Sequence, residues 1–145
     1  MTVEVIILAA GKGSRMRSKR PKVMHGIAGK PMIEHVVETV QAIQAKINIV
    51  VGHESEQVVS HFVDHPIYFA QQQQQLGTGH AVLQALPLVD SSATVLILYG
   101  DVPLIQTQTL TRLLSLASET SLGLLTVNLQ DSTGYGRIIR DDNGK

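Results

Sequence analysis

A chain of 145 residues, 43% hydrophobic and 17% charged, is globular rather than disordered and forms one domain at most, with enough length to bury a core. Its 12 Lys and Arg balance its 12 Asp and Glu, and that neutral total argues against a broad nucleic-acid surface. Cysteine is absent, which excludes disulfides and thiolate chemistry, and no apolar run approaches a membrane span. The expectation is therefore a cytoplasmic protein with neither a membrane nor a nucleic-acid partner.

In chain order, Val3–Leu8 reads as a buried strand, a β-branched apolar run closed by a small-residue turn. The loop that follows is strongly basic. No Asp or Glu occurs between Glu4 and Glu34, and seven of the 12 cationic residues fall there: Lys12, Arg15, Arg17, Lys19, Arg20, Lys22 and Lys30. Pro31 suits a helix start, and Met32, Ile33, Val36, Val37, Val40 and Ile43 recur at helical spacing. Ile47–Val51 reads as a second buried strand, Val58, Val59 and Phe62 as a short helix, and Ile67–Ala70 as a short strand. After five glutamines, Gln71 to Gln75, Gly77-Thr78-Gly79 opens a helix carrying Val82, Ala85, Leu86 and Val89 on one face. Thr94–Leu98 is a third strong strand, and Leu110, Leu113, Leu114 and Ala117 mark another helix. Leu122–Leu129 and Gly136–Arg140 are expected as two further strands. Asn143-Gly144 is a hairpin pair without a returning strand, so the chain reads as part of a longer protein.

Strands alternating with helices predict an α/β fold, a Rossmann-like, mostly parallel sheet with helices on both faces. Such sheets bind ligands beyond the carboxyl ends of their strands, where Leu8, the Gln run and Asp101 all fall. Gly11 and Gly13 let the backbone approach a ligand and expose its N–H groups. Adjacent Arg and Lys turn that loop into a receptor for a polyanion such as a nucleoside triphosphate. The Gly pair does not complete a dinucleotide fingerprint, because Met16 stands where a third Gly is needed, and no Walker sequence is present. Asp101 either caps a turn before Pro103 or meets a metal ion. The histidines show no metal-ligand spacing, and nothing suggests a covalent nucleophile.

Leu-Ala-Ala-Gly-x-Gly-x-Arg-Met from Leu8, with Pro21-Lys22, resembles the signature of sugar-phosphate nucleotidyltransferases. Three further stretches narrow the resemblance: Gln75-Leu76-Gly77-Thr78-Gly79-His80-Ala81, Leu98-Tyr99-Gly100-Asp101-Val102-Pro103-Leu104, and Thr133-Gly134-Tyr135-Gly136-Arg137-Ile138. Together they are similar to the uridyltransferase domain of the bacterial GlmU family, bifunctional N-acetylglucosamine-1-phosphate uridyltransferases and glucosamine-1-phosphate N-acetyltransferases. The resemblance implies that Leu8, Ala9, Ala10 and Gly11 line the nucleotide site and that Gly13 belongs to the phosphate loop. It implies catalytic roles for Arg15, which neutralises the triphosphate and departing pyrophosphate, and Lys22, which contacts phosphate near the reacting centre. By the same resemblance Gln72 reads uracil, Gly77 and Thr78 close round the nucleoside, Tyr99 and Gly100 border the ribose and sugar, Asp101 ligates Mg²⁺, and Gly136 contacts the sugar phosphate. Arg17, Lys19 and Arg20 are expected to be solvated loop charges.

The activity so implied is Mg²⁺-dependent uridylyl transfer from UTP to N-acetylglucosamine 1-phosphate. Two anions meet in that reaction, so neutralising charge is the main requirement. A carboxamide both donates and accepts, which suits the edge of uracil. Residues 1–145 would be the N-terminal, UTP-binding part of the uridyltransferase domain, with little turnover alone. The rest of that domain and the β-helix that carries acetyl transfer and homotrimer contacts would lie outside it. Two rival readings remain: a non-catalytic nucleotide-binding module, and a related sugar-phosphate nucleotidyltransferase with another base.

Overall fold

The computed structural model describes residues 2–11, 13, 16–52, 54–142 and 144. Its centre is a four-stranded parallel sheet. β1 (Val3–Leu8), β4 (Lys46–Val51), β5 (Ile67–Gln71) and β6 (Thr94–Tyr99) form it in the order β5-β4-β1-β6. A two-residue hairpin of β2 (Gly26–Ile27) and β3 (Lys30–Pro31) interrupts the basic loop.

β1 is central, pairing Val5 with Ile47 on one side and with Leu96 on the other. Alternation along it divides the core in two. Val5 and Ile7 point to the face covered by α1 (Met32–Gln41), α2 (Glu56–His61) and α4 (Thr107–Leu116). The helical spacing of Ile33, Val36, Val37 and Val40 puts all four on that interface, fully buried. Burial of such side chains stabilises by roughly 1.5–3 kcal/mol each. Phe62 seals the same core just past α2. Ile6 points the other way, to α3 (Thr78–Ala85), whose Ala81 and Ala85 are small enough to lie close against Ile6, Val50 and Ala70.

The sheet, its direction, its four strands and the helices on both faces match the sequence reading. The two C-terminal strands do not. Residues 122–129 and 136–140 form no strand, and Leu122, Val127 and Ile139 are 91%, 70% and 88% exposed. A strand takes its backbone hydrogen bonds from a neighbour, and among the described residues the chain past α4 makes one isolated bridge, Ser118 with Ser121, rather than joining the free edge of β6. On the α3 side of β6, Val95, Ile97 and Tyr99 are also exposed. Apolar composition alone therefore overstated strand formation in this segment.

Candidate active site

The carboxyl ends of the strands are drawn together by backbone bonds that continue past the sheet. Ala9 N–H donates to Val50 O at 2.8 Å, Gly100 N–H to Leu8 O at 3.0 Å, and Gln72 N–H to Val51 O at 2.8 Å. Gly52 sits so close to the β1 exit that a Cβ there would lie 2.8 Å from the Ala10 carbonyl oxygen. The Gln75 carboxamide donates to that same carbonyl. The result is a cavity of about 340 Å³, in the range of small-molecule sites. Leu8 to Gly11 form its floor. Gln72, Gln75, Gly77, Thr78 and Ala81 form one wall, and Lys22, Val23, Tyr99 and Asp101 the other.

Lys22 opens a single 3-10 turn, Lys22–Met24, whose Val23 and Met24 are buried. Those two anchors fix the turn and leave Lys22 partly exposed beside the cavity. Gly13 packs directly on it: its φ is +55°, and a Cβ there would meet Lys22 Cβ at 2.8 Å. Only glycine satisfies both the conformation and the contact. Lys22 Nζ reaches Asp101 Oδ2 at 2.5 Å, with the side chains 42% and 29% exposed. An ion pair so open to water is worth about 1 kcal/mol or less. It is strong enough to preset the geometry and weak enough to yield to a ligand. Lys22 is the one partner of the Asp101 carboxylate among the described residues.

Gln72 is the buried polar residue of the opposite wall, 3% exposed. Its Nε2 lies 3.1 Å from Gly77 O and 3.0 Å from His80 Nδ1. A second hollow of about 350 Å³, lined by Gln71, Gln73, Gln74, His80 and Gln84, adjoins that run and holds no Asp, Glu, Lys or Arg.

Most residues singled out from sequence converge here. Leu8, Ala9, Ala10, Gly11, Lys22, Gln72, Gly77, Thr78, Tyr99 and Asp101 all line the cavity. Gly13 and Gly100 support it from behind, the second through the Leu8 carbonyl and the side chains of Val23 and Ile33. Arg15 lies outside the described residues. Gly136 is exposed in the C-terminal segment and does not line the cavity. Arg17, Lys19 and Arg20 are exposed, as expected. The sequence reading gave no site role to Gln75, Val23, Ala81 or Gly52, although Gln75 and Ala81 stand within one of its motifs. Gln75 was visible as the last of the Gln run, and Val23 as an apolar residue directly after Pro21-Lys22 in a basic loop.

Among the described residues no group of three or more His, Cys, Asp or Glu could hold a metal ion. One hard carboxylate at a strand end fits an ion of the Mg²⁺ type, which is held by one or two carboxylates and completed by substrate phosphates. No helix among the described residues is long and apolar enough to cross a membrane.

The geometry has counterparts in known proteins. The chain is 54% identical over 145 residues to the bifunctional protein GlmU of Pseudomonas entomophila (strain L48), a match covering 99% of this chain and 32% of that protein. It is 52% identical over 143 residues to the bifunctional protein GlmU of Burkholderia mallei (strain SAVP1), with 98% and 32% covered. The chain thus spans about a third of the length of these curated relatives. The fold is shared with a nucleotidyl transferase from Methanothermobacter thermautotroptrophicus at a TM-score of 0.71 and 21% identity, over 79% of this chain and 57% of that one. The sequence pattern of the MobA-like NTP transferase domain matches residues 5–134, so nearly the whole sheet and its strand-end cavity fall within it, and the chain belongs to that family of nucleotidyltransferases.

Proposed function

We propose that this site performs uridylyl transfer: UTP and N-acetylglucosamine 1-phosphate give UDP-N-acetylglucosamine and pyrophosphate. The observation that carries the reading is the Lys22–Asp101 pair, which sets a cation and a metal-type carboxylate across from the buried carboxamide of Gln72 in one cavity. The choice of sugar rests on the motif resemblance to the GlmU family, and the relatives named bifunctional protein GlmU are consistent with it.

In this reading the base lies against Gln72, Gly77 and Thr78, and the triphosphate runs over the floor toward Gly11. Lys22 leaves Asp101 for a phosphate oxygen and offsets its charge. When bound, Mg²⁺ neutralises phosphate oxygens, with Asp101 as its ligand from this chain. Arg15, in the same loop, steadies the departing pyrophosphate. A sugar-phosphate oxygen attacks the α-phosphorus in line, the bond from that phosphorus to the bridging oxygen breaks, and pyrophosphate leaves. The attacking phosphate oxygen is already anionic, so no general base is required. Tyr99 and Gly100 border the ribose and sugar, and Gly136 contacts the sugar phosphate, which requires the C-terminal segment to approach the cavity. The same reading places the protein in the cytoplasm, with acetyl transfer and homotrimer contacts carried by sequence outside these residues, and with little turnover by residues 1–145 alone.

The test is pyrophosphate release by the full-length gene product with N-acetylglucosamine 1-phosphate and UTP, CTP or dTTP. Release with UTP, dependent on Mg²⁺ and on Arg15, supports the reading. A better rate with CTP or dTTP, or nucleotide binding without release, contradicts it. Near full-length rates from residues 1–145 alone contradict the partial-site reading.

A further inference from the structure

We propose that His80 is a positioning residue that locks the Gln72 carboxamide with its oxygen presented to the nucleobase, and so sets the base preference of the site. The proposal rests on the reading of Gln72 as the base-contacting residue.

The Gln72 side chain has two donor hydrogens, and both have partners within the protein. Gln72 Nε2 lies 3.1 Å from Gly77 O and 3.0 Å from His80 Nδ1. A backbone carbonyl oxygen only accepts, so the carboxamide atom facing Gly77 is its nitrogen, and the amide orientation is determined. That nitrogen has two hydrogens. One goes to Gly77 O, and the other to His80 Nδ1, which is then the unprotonated ring nitrogen. Both donors are consumed inside the protein. Gln72 Oε1 has no partner among the described residues, yet it is not among the fully buried polar atoms left unpaired, which are His25 Nε2 and Asn48 Oδ1. It is the polar atom that Gln72 has left to offer a ligand in the cavity it lines.

A fixed acceptor is selective in a way that a free carboxamide is not. Uracil presents an N3–H, which Oε1 accepts, whereas cytosine presents a lone pair at the same ring position. A carboxamide free to turn would donate to that lone pair and lose the distinction. Turning it here would set Oε1 against the Gly77 carbonyl, and against the His80 lone pair in the tautomer that accepts from Gln72. His80 is held for this role by α3, whose Ala81 and Ala85 are packed on the sheet. On the far side of the ring, the Gln84 carboxamide lies 3.3 Å from His80 Nε2, the nitrogen that then carries the proton. Gln84 Nε2 also donates to the His80 carbonyl oxygen at 3.3 Å, so Gln84 accepts that proton only by giving up this long bond and turning its oxygen to the ring.

The experiment compares UTP and CTP, each with Mg²⁺, as substrates of the full-length gene product and its variants. The wild type is expected to prefer UTP. His80→Leu and His80→Gln should each cut the UTP-to-CTP ratio of kcat/KM by about tenfold, one hydrogen bond's worth of discrimination. The loss should fall mainly on KM for UTP rather than on kcat. His80→Asn, whose carbonyl oxygen can stand near the place of Nδ1, should restore the ratio. In a Gln72→Leu background, His80→Leu should add no further loss, because His80 acts through Gln72. A preserved ratio in both His80→Leu and His80→Gln, no rescue by His80→Asn, or additive losses with Gln72→Leu would overturn the proposal. A wild type without UTP preference would overturn the reading of Gln72 itself, and this inference with it.

Discussion

The two ends of the sheet each carry a lysine–carboxylate pair, and the pairs differ in everything but their charges. At the amino end Glu4 is 2% exposed. It accepts from Lys46 at 3.1 Å, from Asn48 Nδ2 at 3.1 Å and from the Asp90 N–H at 3.1 Å. Lys46 also donates to Leu88 O at 2.6 Å and lies 5.0 Å from the Tyr68 ring centre. Burial alone would raise the Glu4 pKa, but the bonds from Asp90, Lys46 and Asn48 outweigh it and hold the carboxyl below the ordinary glutamate range. At the carboxyl end Asp101 has, among the described residues, Lys22 alone, and both side chains remain partly open to water. A carboxylate with its lone pairs occupied is part of the scaffold. One with a single exposed partner is available for exchange, and parallel sheets bind ligands at the end where it stands.

The sharpest way to break this contrast is to remove each acid in turn. Asp101→Asn in the full-length gene product should lower pyrophosphate release by on the order of 100-fold. Its thermal melting should be unchanged. Glu4→Leu should do the reverse, losing about 2 kcal/mol of stability in urea titration because Asn48 and the Asp90 N–H are left without their acceptor. Its kcat/KM should stay within about twofold once folded. A stability loss at Asp101 equal to that at Glu4 would end the distinction.

Lys22→Met sharpens the claim that the open pair yields to ligands. Binding of Mn²⁺ without nucleotide, followed by electron paramagnetic resonance, should tighten by several-fold while UTP affinity falls about tenfold. Unchanged Mn²⁺ affinity would mean that Lys22 does not compete for Asp101.

The smallest expected effect is a pH dependence at the closed end. Because the folded state holds Glu4 below its unfolded value, Glu4 stabilises the fold above about pH 4.3 and that contribution is lost as pH falls through the folded pKa. The melting-temperature gap between wild type and Glu4→Gln should be full at pH 7 and close below about pH 4. A gap that widened on acidification would reverse the assignment.

Legibility from sequence followed the range of the interaction. Val3–Leu8 and the Met32 to Ile43 spacing announce their elements because a buried strand and an amphipathic helix are written in local periodicity. Leu122–Leu129 has the same local look and fails as a strand, since pairing depends on a neighbour that local pattern does not contain. Lys22 and Asp101 were each legible through their motifs, but not their contact across 79 positions. His80 reads locally as a helix start. Its contact with Gln72 exists because the chain turns at Gly77, and only the folded geometry shows which carboxamide atom it meets. Glu4 stood out as the last acid before the basic loop, with nothing nearby to tell that Asn48 and Asp90 would enclose it.

The most direct measurement is a two-dimensional amide NMR titration of the isotopically labelled protein with UTP and Mg²⁺. Shifts should concentrate at Gly11, Lys22, Gln72, Thr78 and Asp101, with Glu4, Lys46, Asn48 and Asp90 unmoved. Shifts centred on the Glu4 end, or none at the Lys22–Asp101 end at saturating UTP, would contradict it.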